Sequence, residues 1–418
     1  MMAKNAFYAQ SGGVTSVINV SAAAVIETAR QYAGQIGTVY AGYRGILGAL
    51  EENLIDTAQF SPEQITALKH TPGGAFGSCR YKLKGLDENR KEYERLIEVF
   101  KAHDIGYFFY NGGNDSQDTA NKVAQLSEAM GYPLQCIGIP KTIDNDLPIT
   151  DCCPGFGSVA KYIATSTLEC GLDVKAMSIS TKVFIIEVMG RHTGWIAAAA
   201  GLARQADGQA PHIILFPEVP FDEAKFLAET QRCVEQHGYC VIAVSEGTKT
   251  ADGKFIAESG LKDAFGHSQL GGAATVISEL VKSKLGYKNH YAIADYMQRS
   301  ARHLSSKTDF DQAYAVGKAA VEFAIAGKTA MMPVIIRTSN APYEWHIEEA
   351  PLNKIANVEK MMPPEFISED GFHITEAARE YLAPLTYGEA YPPYKNGLPS
   401  YEHLRFELID KQCAPFKR

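Results

Sequence analysis

The chain has 418 residues, 46% of them hydrophobic, with a net charge of −8 and eight cysteines. That length supports two or three domains with full hydrophobic cores and excludes a small disulfide-stapled module, while the acidic balance excludes a broad basic field for nucleic acid. The cysteines form neither a CxxC nor a zinc-finger spacing, the opening MMAKNAFYAQSGG turns polar too early for a signal peptide, and no apolar run approaches the roughly 20 residues that span a bilayer. The expectation is a soluble cytoplasmic protein with neither nucleic-acid nor membrane partners.

Residues 6–10 read as a short strand that meets Ser11-Gly12-Gly13, and residues 14–32 read as a helix rich in Ala, Val and Ile. Strand, glycine turn and helix suit a phosphate cradle, because glycine lets the backbone approach an anion and the helix start offers unpaired N–H groups. The same pattern also describes any tight turn in an α/β protein. A second glycine loop, residues 71–80, delivers Arg80 either to a phosphate or to solvent. The run IGYFFY at 105–110 reads as a buried strand. Asn111-Gly112-Gly113-Asn114-Asp115-Ser116 breaks it before a helix carrying Ala120, Val123, Leu126 and Met130 on one side. Asn, Asp or Ser is expected to supply the helix N-cap, and the metal-capable side chain among them offers a second role at the carboxyl end of the strand.

The strand expected at 134–139 delivers Pro140-Lys141-Thr142-Ile143-Asp144-Asn145-Asp146 at its carboxyl end, the edge where open α/β sheets collect ligands. If this segment runs extended, Asp144 and Asp146 point to one side with Lys141 nearby. Such a set can take a proton from a hydroxyl, hold a divalent metal and neutralise phosphate charge. The plainer alternative is a polar surface turn ended by Pro148. Three successive strand ends bearing glycine, amide, carboxylate and ammonium groups favour one shared site.

GFGSVA at 155–160 fits the G-x-G-x-x-A dinucleotide pattern, but TDCCP precedes it where a strand is required. The expectation is a helix start packed closely on another segment. Strand 183–188 ends in Met189-Gly190-Arg191-His192-Thr193-Gly194-Trp195 before an alanine-rich helix at 196–203. Strand 213–216, helix 223–236 and strand 240–245 follow, the last ending in Glu246-Gly247. The stretch GHSQLGG, with His267, precedes a helix at 273–284. Residues 291–299 set Tyr296 and Arg299 three apart, and 311–326 reads as a long helix. Beyond Met332 the chain grows richer in Pro, Tyr and charge, with one short strand at 334–337, as expected of a segment wrapping the body.

Taken together, SGG, GGAFGSCR, GGNDS, PKTIDND, EVMGRHTGW, SEG and YMQR stand in the order of the phosphofructokinase family, and the chain resembles its pyrophosphate-dependent branch. The resemblance covers roughly the first 330 residues, and PKTIDND with MGRH is its most specific part. It implies an α/β fold of two Rossmann-like three-layer αβα lobes with a C-terminal extension. Residues 1–150 with about 300–345 form the donor lobe, 151–299 the sugar-phosphate lobe, and 346–418 the extension. It makes Asp144 the base for the 1-hydroxyl of fructose 6-phosphate and places Asp146 near the metal, Mg2+. Gly12, Arg80, Gly113 and Lys141 would hold the donor. Thr142, Ile143, Met189, Gly190, Arg191 and Glu246 would line the sugar phosphate, with Tyr296, Arg299 and Lys182 on its far phosphate.

Two residues bear on the donor. ATP-using relatives resemble GGDG and PGTIDND, with glycine at the positions of Asp115 and Lys141. A carboxylate at 115 repels an α-phosphate, and an ammonium at 141 stabilises departing orthophosphate. The implied reaction is reversible transfer from pyrophosphate. Asn114 replaces an aspartate common beside the metal, though an amide oxygen still ligates. Lys182 and His290 stand where the ATP-using branch resembles arginine, and such cations often come from a neighbouring subunit in the family, so a homodimer or homotetramer is implied. Alternatives are ATP as donor, another ketose phosphate such as sedoheptulose 7-phosphate as acceptor, a silent metabolite sensor suggested by Asn114, and a dehydrogenase resting only on GFGSVA.

Overall fold

The computed structural model describes residues 3–262, 268–270 and 272–417, and His267 lies outside the described residues. The strands in chain order are β1 (Lys4–Ser11), β2 (Ile36–Gly42), β3 (Leu54–Asp56), β4 (Ser78–Cys79), β5 (Ile105–Gly112), β6 (Gln135–Pro140), β7 (Val183–Val188), β8 (Ile213–Leu215), β9 (Cys240–Ser245), β10 (Glu258–Lys262), β11 (Ser268–Leu270), β12 (Asn289–Ile293), β13 (Met331–Asn340) and β14 (Tyr343–Pro351). Two sheets organise all of these but β10 and β11, which pair with each other. The first has the order β14-β13-β6-β5-β1-β2-β3 with β4 beside β1, and the second the order β12-β7-β9-β8. The second is wholly parallel, and in the first only β3 and β14 run antiparallel to their neighbours.

Parallel strands need both faces covered, and the sequence supplies apolar runs for the centre of each sheet. In β5, Phe108, Phe109 and Tyr110 are all fully buried, and the rings of Phe7, Phe100 and Phe108 lie 5.3–5.8 Å apart. Burial of one such ring contributes about 1.5–3 kcal/mol. From β1 the chain builds β2 on one side, while β5 pairs on the other. The strand order therefore reverses at β1, and a crevice opens beyond the carboxyl ends of β1 and β5. In the second sheet β7 lies between β9 and β12, so its carboxyl end opens in the same way.

The helix Phe156–Ala176 joins the sheets. Its Phe156, Val159 and Ile163 share one buried cluster with Ile137 and Ile139 of β6, Ile186 of β7, Ala243 of β9 and the short helix Trp195–Ala200. Its first turn contains GFGSVA, and no strand runs into it. The buried Asp309 carboxylate accepts from Gly155 N, Ser158 N and Ser158 Oγ at 2.8, 3.0 and 2.5 Å, capping the helix. Gly155 has φ +111°, and a Cβ there would stand 2.4 Å from Thr15 Cγ2. The glycine pattern is therefore explained by close packing, as expected, with no dinucleotide fingerprint behind it.

Several boundaries differ from expectation. The first helix is Ile18–Gln31, starting after Val17 because residues 12–17 form the turn that meets Gly155. The charged run after Gly85 forms the helix Leu86–Ala102. The half-exposed β12 forms an edge strand, and β13 with β14 makes a hairpin longer than the four-residue strand expected at 334–337. No described helix is long and apolar enough to cross a membrane.

Candidate active site

The carboxyl ends of β1, β5, β6, β7 and β9 converge on a cleft of about 700 Å3. Its lining includes Gly12, Arg80, Gly113, Asn114, Asp115, Lys141, Thr142, Ile143, Asp144, Asp146, Met189, Arg191, Glu246 and Arg299. Residues far apart in sequence thus meet as the motif reading required.

The PKTIDND loop is built into the body. Ile143 and Leu147 are buried, Lys141 N donates to Gly112 O at 3.2 Å, and Asp144 N donates to Thr142 Oγ1 at 3.0 Å. Between the two carboxylates Asn145 takes a left-handed φ of +55°, so the segment turns here and does not run extended. The Asn145 amide fixes the turn. Its Nδ2 donates to Tyr381 Oη at 3.0 Å, and its Oδ1 accepts from Cys153 N at 3.0 Å and from Lys360 Nζ at 3.3 Å. A surface turn would not be held this way, and both carboxylates still face the cleft.

Lys141 is 6% exposed, and its Nζ donates to Gly13 O at 2.7 Å, tying the β6 loop to the glycine turn after β1. Gly12 has φ +72°, and a Cβ there would lie 3.3 Å from that ammonium. Burial draws the Lys141 pKa down to about 8, against the attraction of Asp144 and Asp146 and with help from Arg299 and Arg80. For Asp144, burial and the nearby Asp146 and Glu246 charges push the pKa up to about 7, opposed by Lys141 and Arg191. Asp146 is also raised, first by burial, with Glu359 adding to it. The pair titrates together. A carboxylate poised near neutrality beside a buried ammonium can accept a hydroxyl proton while the ammonium holds a phosphate.

Asp146 Oδ1 is buried with no hydrogen-bond partner, which fits a cation. No group of three or more His, Cys, Asp or Glu that could hold a metal occurs among the described residues. An ion here would take one or two protein oxygens and complete its shell with phosphate and water oxygens, the habit of Mg2+. Asn114 is partly committed: its Nδ2 donates to Val358 O at 2.6 Å and its Oδ1 accepts from Asn357 N.

On the second sheet, Glu246 follows β9 and its Oε1 accepts from Gly190 N at 3.3 Å. Burial raises its pKa. Met189 N donates to Gln298 Oε1 at 3.3 Å, linking the loop after β7 to the helix Asp295–Ser300. Arg299 reaches the cleft beside the glycine turn, since a Cβ on Gly13 would lie 2.5 Å from its Nη1. Tyr296 is 61% exposed and stacks under Arg299, outside the cleft lining. Lys182 precedes β7 at its opposite end, where its Nζ donates to Ser178 O at 2.6 Å, and it does not line this cleft. Asp115 lies in the first turn of the helix Asn114–Ala129 and pairs with Lys82 at 2.6 Å. Sequence reasoning missed Asn357 and Glu359, which line the cleft from beyond β14.

Glycine turns, a base with a raised pKa, a buried ammonium and arginines at the switch points of parallel sheets define a phosphoryl-transfer enzyme. The family model described as Phosphofructokinase matches residues 5–324, and the chain belongs to that family. It is 64% identical over 99% of both chains to a pyrophosphate–fructose 6-phosphate 1-phosphotransferase of Methylococcus capsulatus, and 61% identical over the full length of both to one of Halomonas elongata. A crystal structure of a pyrophosphate-dependent phosphofructokinase from Nitrosospira multiformis superposes with a TM-score of 0.92 at 61% identity. That match covers 99% of this chain and 100% of the other.

Proposed function

We propose that the chain catalyses reversible phosphoryl transfer from pyrophosphate to the 1-hydroxyl of fructose 6-phosphate, giving fructose 1,6-bisphosphate and orthophosphate. The observation that carries this is the buried Lys141 ammonium, bound to the glycine turn and set against the Asp144–Asp146 pair in one cleft with Arg80 and Arg191. The named relatives support the same donor and acceptor.

In the forward direction Asp144 takes the proton from the 1-hydroxyl as that oxygen bonds to the terminal phosphorus. The bridging P–O bond breaks, and its electron pair leaves on orthophosphate, beside Lys141. Arg80, Arg191 and the backbone of the glycine turn hold the phosphoryl oxygens. Glu246, fixed by Gly190 N, accepts from sugar hydroxyls, and Met189 packs on the sugar. Asp146, with its unpartnered Oδ1, and Asn114 would hold Mg2+ directly or through water, and the ion when bound would supply charge neutralisation for the diphosphate. Asp115, projecting into the cleft from a helix start, disfavours a donor carrying a further phosphate.

Lys182 and the exposed His290 lie on the β7–β12 edge, away from this cleft, and Ile179 beside them is 97% exposed. Both cations and this apolar edge support a homodimer or homotetramer in which they serve a neighbouring site. Turnover of fructose 6-phosphate by the purified protein with pyrophosphate, and with ATP in its place, tests the donor. Strong turnover with ATP and none with pyrophosphate overturns the proposal.

A further inference from the structure

Residues 352–362 lie outside the stretch matched by the family model, yet Asn357 and Glu359 within them line the cleft. Leu352 and Ile355 are fully buried against Leu134, Cys136 and Met332, and Met362 is buried in the cluster that contains Phe156 and Trp195. The segment is therefore anchored at both ends in different parts of the core. Between the anchors it is tied to three other parts of the fold. The Asn114 amide bonds the backbone of Asn357 and Val358, across 244 residues of sequence in the second case, and Asn357 Nδ2 donates to Asp118 Oδ1 at 3.1 Å. Lys360 N donates to Asp146 O at 2.7 Å, while its Nζ donates to Thr150 O and Asp151 O at 3.1 and 2.8 Å. His192 Nδ1 donates to Glu359 Oε1 at 2.8 Å, joining the segment to the loop after β7.

We propose that Asn357 and Glu359 form a gate that sets the length of the phosphoryl donor, a reading that rests on pyrophosphate being that donor. The start of the helix Asn114–Ala129 lines the same cleft as the glycine turn, Arg80 and Lys141, and a chain longer than a diphosphate held by those groups would extend towards it. A helix start ordinarily attracts a further phosphate. Here the crossing segment is held against the helix start by the Asn114 side chain, whose Nδ2 donates to Val358 O, and Asp115, Asn357 and Glu359 face the cleft beside it. A third phosphoryl group meets the crossing segment and two carboxylates already paired, Asp115 with Lys82 and Glu359 with His192, so length is discriminated chiefly by exclusion, with repulsion added to the extent that those pairs leave charge uncompensated.

The test compares inorganic tripolyphosphate with pyrophosphate as donor. The variants are Glu359→Gln, which keeps size and removes charge, and Asn357→Gly, which keeps the left-handed backbone at φ +62°. The gate predicts that kcat/KM for pyrophosphate relative to tripolyphosphate falls by about tenfold or more in the double variant. Calorimetric binding of each polyphosphate reads the same ratio without turnover if a variant is slow. A ratio within about twofold of wild type in both readouts overturns the gate while leaving the donor intact. Wild-type protein that turns over ATP and not pyrophosphate overturns the donor assignment and the gate with it.

Discussion

The ionisation of Asp144 and Lys141 sets the pH range in which the enzyme works. The base must be ionised and the ammonium protonated, so kcat/KM requires a pH above the Asp144 value, pushed up to about 7, and below the Lys141 value, drawn down to about 8. For two such groups the productive fraction is about 0.6 at pH 7.5 and about 0.1 at pH 6 or pH 9, a bell with limbs of roughly six- to sevenfold. Lys141→Gln removes the alkaline limb and lowers kcat by about 10²–10³, the range seen when one preorganised electrostatic donor is lost. The assay is the initial rate of fructose 1,6-bisphosphate formation from pH 5.5 to 9.5. Phosphate groups of the substrates also titrate near pH 6, and dividing the wild-type profile by the Lys141→Gln profile cancels their common contribution. An alkaline limb unchanged in Lys141→Gln would refute the assignment.

Further outcomes follow from the same geometry. A raised carboxylate pKa means that the folded state binds the proton more tightly than the unfolded chain, so stability falls as pH rises from about 4 towards 7. Asp144→Asn, which removes that charge, should therefore raise the ligand-free Tm at pH 8, with a gain of about 1–4 kcal/mol that fades towards pH 5, while turnover drops by about 10²–10⁴. Thermal melts at both pH values check it, and a lower Tm at pH 8 counts against a strained base. Lys360→Met strips the ammonium from Asn145 Oδ1, Thr150 O and Asp151 O, and should cost about 1–3 kcal/mol and lower kcat through the displaced base loop. Unchanged denaturant midpoint and kcat would show that the loop holds itself. Asp309→Ala removes the cap of the helix Phe156–Ala176 and should lower stability by about 1–2 kcal/mol in urea unfolding, with pyrophosphate affinity altered little.

What the sequence revealed and what it hid follow from the range of the interactions. Strands β5, β7 and β9 are apolar runs ended by glycine or polar residues, and each lies within two residues of its expected bounds. Local signals suffice there because both faces are buried. The edge strand β12 mixes exposed and half-buried residues and offers no such run, and the helix Leu86–Ala102 carries charge along most of its length. Within the site, Lys141, Asp144, Arg191 and Glu246 were legible because strand ends carry ligands in parallel sheets. The turn at Asn145 was not, since its partners Tyr381 and Lys360 come from the C-terminal segment. Asn357 and Glu359 have no motif around them, and only the buried anchors Leu352, Ile355 and Met362 bring them to the cleft.

The central claim is that Lys141 and Asp115 select pyrophosphate. It is tested most directly by kcat/KM for pyrophosphate and for ATP, with fructose 6-phosphate as acceptor, in wild type and in the Asp115→Gly, Lys141→Gly double variant. The expected result is a wild-type preference for pyrophosphate of about 10³ or more, reduced at least about 100-fold in the variant as both the attraction and the repulsion are lost. A preference that survives the double substitution intact would contradict the claim.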